Sequence, residues 1–463
     1  MSFMIIFLAL GLLMYMAYRG HSVILFAPLA ALLAVLLTEP ALVAPVYVGL
    51  FMDKMVGFIK LYFPVFMLGA VFGKLIELSG FSSSIVSSVI SLVGRSRAML
   101  SIVLVCAILT YGGVSLFVVV FAVYPFAAEL FRQLDIPKRL IPGTVALGAF
   151  SFTMDSLPGT PQIQNIIPTT FFHTDTWAAP WLGVIGSAFI LATGLSYLEG
   201  RRRQALQRGE GYGQHTLNEP DKVTTGHLPN PWLAMLPLVL VAVSNKLYTI
   251  WIPTVYGKSY TVDLPGLKHP LTGEVSTVVA IWAVEAALLT GIVVVLLSAF
   301  KAIASRFAEG SKAAVAGSLL AAMNTASEYG FGAVIAALPG FVGVTEALRH
   351  ISNPLVGEAV TVTALAGITG SASGGMSIAL AAMADTFIQN AQAAGIPMDV
   401  LHRVAAMASG GMDTLPHNGA VITLLAVTGL THRESYRDIF AVTCLKTLAV
   451  FAVIAVYLIA GIY

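Results

Sequence analysis

The feature that most constrains this chain is a pattern it carries twice. YGGVS begins at Tyr111, an Ile-Pro pair follows at Ile136, and MDSLPGTP begins at Met154; later SGGMS begins at Ser373, Ile-Pro recurs at Ile396, and MDTLPHNG begins at Met412. The order is the same both times, and the pairings Gly112 to Gly374, Ile136 to Ile396 and Asp155 to Asp413 drift by only two residues per step. Gly80-Phe81 and Gly340-Phe341 extend the register upstream. Three motifs in one order are hard to obtain without duplication.

The solvent of this duplicated chain is set by its apolar runs. Residues 1–18, 23–37, 181–198 and 278–300 are stretches of membrane-spanning length. Charged residues make up 10% of the chain, against about 25% in a soluble domain. The expected fold is therefore an all-α polytopic membrane protein of roughly ten spans of about 20 residues, plus two hairpins. A net charge of +2, with basic residues dispersed, excludes nucleic acid as a partner. Cys106 and Cys444 sit in apolar stretches and read as packing residues. The N-terminus lacks a basic start and a cleavage site, so it reads as the first span. With no HExxH, no GxSxG, no metal-ligand cluster and no cofactor fingerprint, the chain reads as a non-enzyme without a cofactor, using H⁺ or Na⁺ as a coupling ion.

Membrane duplications are parallel or inverted, and basic residues choose between them. Arg201, Arg202, Arg203, Arg208 and Lys222 place the polar loop 199–230 in the cytoplasm. Alternation backward makes the GGVS segment a re-entrant hairpin, with limbs 98–111 and 114–129 ending inside. Alternation forward makes 246–275 external, so the second unit starts from the opposite face. This arrangement leaves Lys54, Lys60, Lys246, Lys258, Lys268, Arg349 and Arg403 outside, among 25 Lys and Arg. Both termini fall outside. The divisions are N-terminal helices 1–60, repeat one 61–198, cytoplasmic loop 199–230, connecting helices 231–312 and repeat two 313–463. The hairpin tips fall near 112–115 and 371–377, and the broken helices near 155–161 and 413–419.

Within hydrocarbon, irregular backbone is tolerated only where protein or a water-filled cavity surrounds it. Four such breaks occur, and opposed hairpins with two broken helices can converge on one site. Helix N-termini exposed at Gly112, Gly113, Gly374 and Gly375 attract anions, which suits a small carboxylate. Packing is the other reading of such glycines. Thr110, Tyr111, Ser115, Ser156, Thr160 and Gln162 in one unit, and Ser371, Ser373, Ser377, Thr414 and Asn418 in the other, add hydrogen-bonding groups. Asp155 and Asp413 are costly intramembrane carboxylates that can take a proton, ligate sodium, or cap the half-helix after the break. His417, where the motifs diverge, can meet a substrate carboxylate or serve structurally. Asn324, Thr325 and Glu328 lie along one helix face and can line the pathway or bond a neighbouring helix.

At these residues the sequence resembles the gluconate permease family of the ion transporter superfamily: GG-containing hairpins, paired MDxLP breaks, and the closing MDTLPHNG run leading to THRESYRD. The resemblance covers nearly the whole chain. It implies an inner-membrane symporter of sugar acids or short hydroxy acids, usually driven by protons, in a superfamily where homodimers with moving transport domains are common. TMDSLPGTPQIQN and ASGGMDTLPHNGAVITLL look closest to members associated with 3-hydroxybutyrate.

The topology is checked by cysteine labelling. A Cys placed at Gln214 should resist an impermeant thiol reagent in intact cells and react only after permeabilisation; labelling of intact cells would reverse the orientation.

Overall fold

The computed structural model describes residues 2–19, 21–94, 97–220, 228–341, 351, 353–416 and 418–463. It is mainly helical. Among the described residues, five helices are long and apolar enough to cross a membrane: Pro40–Leu78, Pro180–Gln207, Pro231–Tyr256, Val279–Ile303 and His432–Ala460. The first of these contains 3-10 and π turns before it settles into Met52–Leu78. Other apolar helices are shorter, among them Ala98–Tyr111, Pro354–Thr369 and Gly419–Thr428, because breaks divide what would otherwise be spans.

From Met52–Leu78 onward the chain forms Phe81–Val93, a hairpin of Ala98–Tyr111 and Leu116–Gln133, a broken helix of Ile141–Ala149 and Ile163–Phe172, and the long Pro180–Gln207. From Phe307–Ala337 onward it forms a hairpin of Pro354–Thr369 and Ala372–Ala393, a broken helix of Met398–Ser409 and Gly419–Thr428, and the long His432–Ala460. Local chemistry sets these boundaries. The Asn353 side chain accepts from the N–H groups of Leu355 and Val356, with Pro354 at the first helical position. Thr431 and Glu434 form a capping box that starts the last helix. Pro158 and Pro161 in one break and Pro416 in the other lack the N–H that would continue a helix.

Two bodies result. Met52–Leu78 packs on Phe307–Ala337, with Val23–Thr38 and Val279–Ile303 beside them and Pro231–Tyr256 on Val279–Ile303. The hairpins, the broken helices and the two closing helices pack on one another across the two halves: Ile163–Phe172 meets Ala372–Ala393 and Met398–Ser409, and Gly419–Thr428 meets Leu116–Gln133. Gly332 allows a close approach between the bodies, since a Cβ there would stand 2.7 Å from Ile378 Cα.

Several expected boundaries move. Helix Pro231–Tyr256 continues through Lys246, and the segment beyond it contains a β-ribbon, Ser259–Val262 paired antiparallel with Leu271–Glu274, so the fold is not purely α-helical. Helix Pro180–Gln207 likewise carries Arg201, Arg202 and Arg203, which delays the polar loop. That loop is clasped to the bundle. Glu219 pairs with Lys138 at 2.7 Å and Arg132 at 2.6 Å, and Glu210 pairs with Arg139 at 2.5 Å. Arg139 beside Glu210 holds that carboxyl below the usual carboxylate range. The clasp is thus fully formed above the unfolded carboxylate pKa and weakens as pH falls through the lowered folded value.

Asp438, 1% exposed, is the hub beneath this loop: it accepts from Arg201 Nε at 2.7 Å and Tyr197 OH at 2.9 Å, with Arg139 Nη1 at 3.4 Å. Asp438→Ala would take from Arg201 its carboxylate partner and from Tyr197 its acceptor, while Arg139 keeps Glu210. A fall in melting temperature of several degrees is expected in detergent; an unchanged melting curve would remove the hub role.

Candidate functional site

The first break unwinds between Ala149 and Ile163, interrupted by one helical turn, Phe152–Asp155. At membrane depth each unbonded carbonyl would cost several kcal/mol. Side chains meet them instead. Lys446 Nζ donates to Phe150 O at 2.8 Å, Thr160 Oγ1 to Thr153 O at 2.8 Å and Arg403 Nη1 to Asp155 O at 3.2 Å. Tyr111 OH donates to Pro158 O at 2.9 Å, Asn245 Nδ2 to Gly159 O at 3.2 Å and Asn165 Nδ2 to Thr160 O at 3.0 Å. In the second break Asn418 Nδ2 donates to Asp413 O at 3.0 Å and Tyr436 OH to Thr414 O at 3.1 Å; the His432 Nε2 to Pro416 O distance is 2.9 Å.

Each break is also tied to its own hairpin. Gln162, at the N-cap of Ile163–Phe172, donates to Thr110 O at 2.7 Å and lies 3.4 Å from Val114 O. Asn418, at the N-cap of Gly419–Thr428, donates to Gly370 O at 2.8 Å while accepting from Val421 N at 2.9 Å. An amide from the same place in each broken helix thus holds the adjacent hairpin tip.

Four charged groups meet between the breaks. Asp413 Oδ1 pairs with Lys446 Nζ at 2.7 Å. Asp155 is 1% exposed; its Oδ1 accepts from Ser156 Oγ at 2.7 Å, its Oδ2 has no partner, and a Cβ at Gly410 would collide with that Oδ2. Arg403, 0% exposed, donates to Asn165 Oδ1 at 3.0 Å and to Ala178 O at 2.8 Å as well as to Asp155 O. Its neighbour His402 stands 2.6 Å from Thr174 Oγ1 and 3.2 Å from Asn165 Oδ1. Neither Asp caps the next half-helix, because Gln162 and Asn418 hold those positions.

The charge count that set the topology is corrected at two residues, which are buried cations. Arg403, counted outside, and Lys446, counted inside, are not loop residues and carry no information on orientation. A lone Lys in an otherwise uncharged stretch from Ile439 to Tyr463 is the sequence signal for Lys446. Arg403 stands a turn from a helix start, which reads like a membrane edge. Asn165, Gln164 and Asn245 join the site without any signal in the sequence, since single amides carry no pattern.

The glycine pairs do different work. Gly112 and Gly113 form the first tip, and Gly113 has φ +94°, whereas Gly374 and Gly375 lie in the first turn of Ala372–Ala393. The equivalent positions are the serines that begin each second limb, Ser115 and Ser371. All four glycine N–H groups are bonded inside their hairpins: Gly112 to Ile108 O, Gly113 to Thr110 O, Gly374 to Ser371 Oγ and Gly375 to Ser371 O. Gly374 faces the Glu328 carboxylate, and Gly375 faces the backbone of Ala366. Thr325 Oγ1 lies 3.2 Å from Ser373 Oγ, so Thr325, Glu328, Ser373 and Gly374 are brought together, with Asn324 half-buried on the same helix. Thr414 bonds Thr443 at 2.5 Å. His417 lies outside the described residues, as do Lys222 and Arg349 of the charge count.

Buried side-chain atoms without a partner include Thr110 Oγ1, Asp155 Oδ2, Gln164 Oε1 and Ser377 Oγ, on the first tip, the first broken helix and the second hairpin. A cavity of 590 Å³ lies elsewhere, where His173, Asp175 and Asp399 face Lys258 and Glu274 next to the β-ribbon.

Long apolar helices surround buried, unwound and internally bonded backbone, an arrangement that suits a membrane-embedded protein, and a relative gives the class as a transporter. No protein-family model matches the chain. The uncharacterized transporter YxjC of Bacillus subtilis (strain 168) is 57% identical over 475 residues, covering 100% of both chains. The chain belongs to the YxjC transporter family. Among solved structures, the YdaH transporter of Alcanivorax borkumensis aligns over 88% of this chain and 87% of its own, at 14% identity and a TM-score of 0.49.

Substitutions should separate the two glycines of the second hairpin. Gly374→Ala displaces only the end of a flexible Glu328 side chain, whereas Gly375→Ala drives a methyl into backbone. Gly374→Ala is expected to give monodisperse protein and Gly375→Ala little or none, measured by size-exclusion yield; equal yields would refute this packing.

Proposed function

We propose that the chain is a proton-coupled symporter of a small organic carboxylate in the bacterial inner membrane, built from two inverted-topology repeats. The observation that carries this reading is that the open buried polar atoms on Thr110, Asp155, Gln164 and Ser377 fall on the first hairpin tip, the first broken helix and the second hairpin, the elements expected to line the site; the other such atoms among the described residues belong to Ser101, Trp177 and Glu358. Buried polar groups are normally satisfied, so such a set marks where a ligand completes the bonding. Thr110 and Ser377 hydroxyls donate to a carboxylate, and Gln164 Oε1 accepts from a hydroxyl on the same small molecule. Asp155 Oδ2 takes the proton.

The shared element order of the two halves supports the duplication, and the two hairpin ties by Gln162 and Asn418 support its symmetry. The resemblance to gluconate permeases favours a short hydroxy acid such as 3-hydroxybutyrate, with gluconate as the competing substrate, and a homodimer with alternating access of an elevator type. In that motion Ala372–Ala393 would slide along Phe307–Ala337, on which it packs.

Proteoliposomes test this reading. A pH gradient, acid outside, should drive accumulation of labelled 3-hydroxybutyrate, and unlabelled gluconate competes if the pocket admits sugar acids. Asp155→Asn keeps shape but cannot carry a proton, so accumulation should collapse to equilibration while substrate exchange persists. Asp413→Asn, whose parent is already paired with Lys446, should cost folded yield more than coupling. Normal accumulation by Asp155→Asn would remove Asp155 from the coupling step.

A further inference from the structure

Lys446 is the last charged residue of the chain. Its ammonium, 2% exposed, stands 2.7 Å from Asp413 Oδ1 in the second break and 2.8 Å from Phe150 O in the first. A carboxylate oxygen and a carbonyl of unwound backbone, drawn from two broken helices at their meeting point, are the oxygen donors that a hard monovalent cation takes in a membrane carrier. A second cation cannot share them, because two positive charges a few ångströms apart repel strongly in a dry site.

We propose that Lys446 is a tethered cation: its ammonium fills an alkali-cation site formed by Asp413 and the Phe150 carbonyl, so the protein binds no sodium or potassium there. This rests on the carrier reading and deepens it by assigning the two break carboxylates different tasks. Asp413 is permanently neutralised by the chain's own cation. Asp155, with Oδ2 open, remains for the proton. Arg403 does not compete for the role, since its donors already serve Ala178, Asp155 and Asn165. A purely adhesive Lys446 would join the helices equally well, but its loss would leave no cation preference behind.

The experiment compares melting temperatures of purified full-length protein in sodium, potassium and choline chloride at equal ionic strength. The wild type should melt identically in all three. Lys446→Ala removes the ammonium and leaves its oxygens, so it should gain a saturable rise of a few degrees, specific to one alkali cation. The double variant Lys446→Ala, Asp413→Asn should lose that rise, and Lys446→Arg should stay indifferent. An alkali-specific rise in the wild type overturns the proposal, as does a monodisperse Lys446→Ala that ignores all three salts. If Lys446→Ala survives purification only in an alkali salt, the proposal is supported; if it fails in every salt, the oxygens do not form a cation site and the proposal falls. None of these shifts requires substrate, so the carrier reading fails separately, through absence of carboxylate accumulation by the wild type.

Discussion

Everything at the centre of this protein depends on how unwound backbone is bonded where water is scarce. A helix satisfies its own carbonyls; a break does not, and each orphan costs several kcal/mol in a membrane interior. The chain answers with long or branched polar side chains brought from outside the break. Lys446 and Tyr436 come from the last helix, Arg403 from the second broken helix, Tyr111 from the first hairpin and Asn245 from Pro231–Tyr256. The breaks are thus cross-linked to the bundle by the same bonds that allow them to exist, which ties four secondary-structure elements to them in addition to helix packing.

The charges obey the same logic. Two carboxylates and two cations are buried here, but only Asp413 and Lys446 form an ion pair; Arg403 reaches Asp155 through its backbone carbonyl. Such a pair adds little net stability, because desolvation consumes most of the Coulomb attraction. What it adds is position: Lys446 also holds the Phe150 carbonyl, which ties the two broken helices together. Asp155 is the exception, with one oxygen left open beside the Cα of Gly410.

Glycine permits the approach that these bonds need. Gly374 and Gly332 let the second hairpin lie against Phe307–Ala337, with Glu328 over the hairpin's first turn; Gly375 lets the two limbs of that hairpin close on each other. The first tip uses Gly113 for a left-handed turn instead. Two GG pairs that look alike in the sequence therefore solve different steric problems, and their resemblance misaligns the hairpins by a few residues.

Legibility divided along physical lines. Apolar run length and low charge determined a membrane protein of helices, because hydrocarbon admits few other ways to satisfy a backbone. Leu-Pro with an adjacent Asp determined where the spans break, since Pro removes a donor and an intramembrane carboxylate demands surroundings of its own. Limbs such as Ala98–Tyr111 matched expectation to the residue. Tertiary structure alone decided which groups the breaks recruit. Lys446 and Arg403 read as loop charges in a one-dimensional count, yet both lie buried at the meeting of the breaks, because a long side chain goes where unpaired oxygens are and not where its place in the sequence suggests. It also decided that the aspartates cap neither half-helix: Asn418 caps the second, while Gln162 stands at the N-cap of the first and spends its amide on Thr110 O instead, since capping depends on a backbone angle that spacing does not reveal.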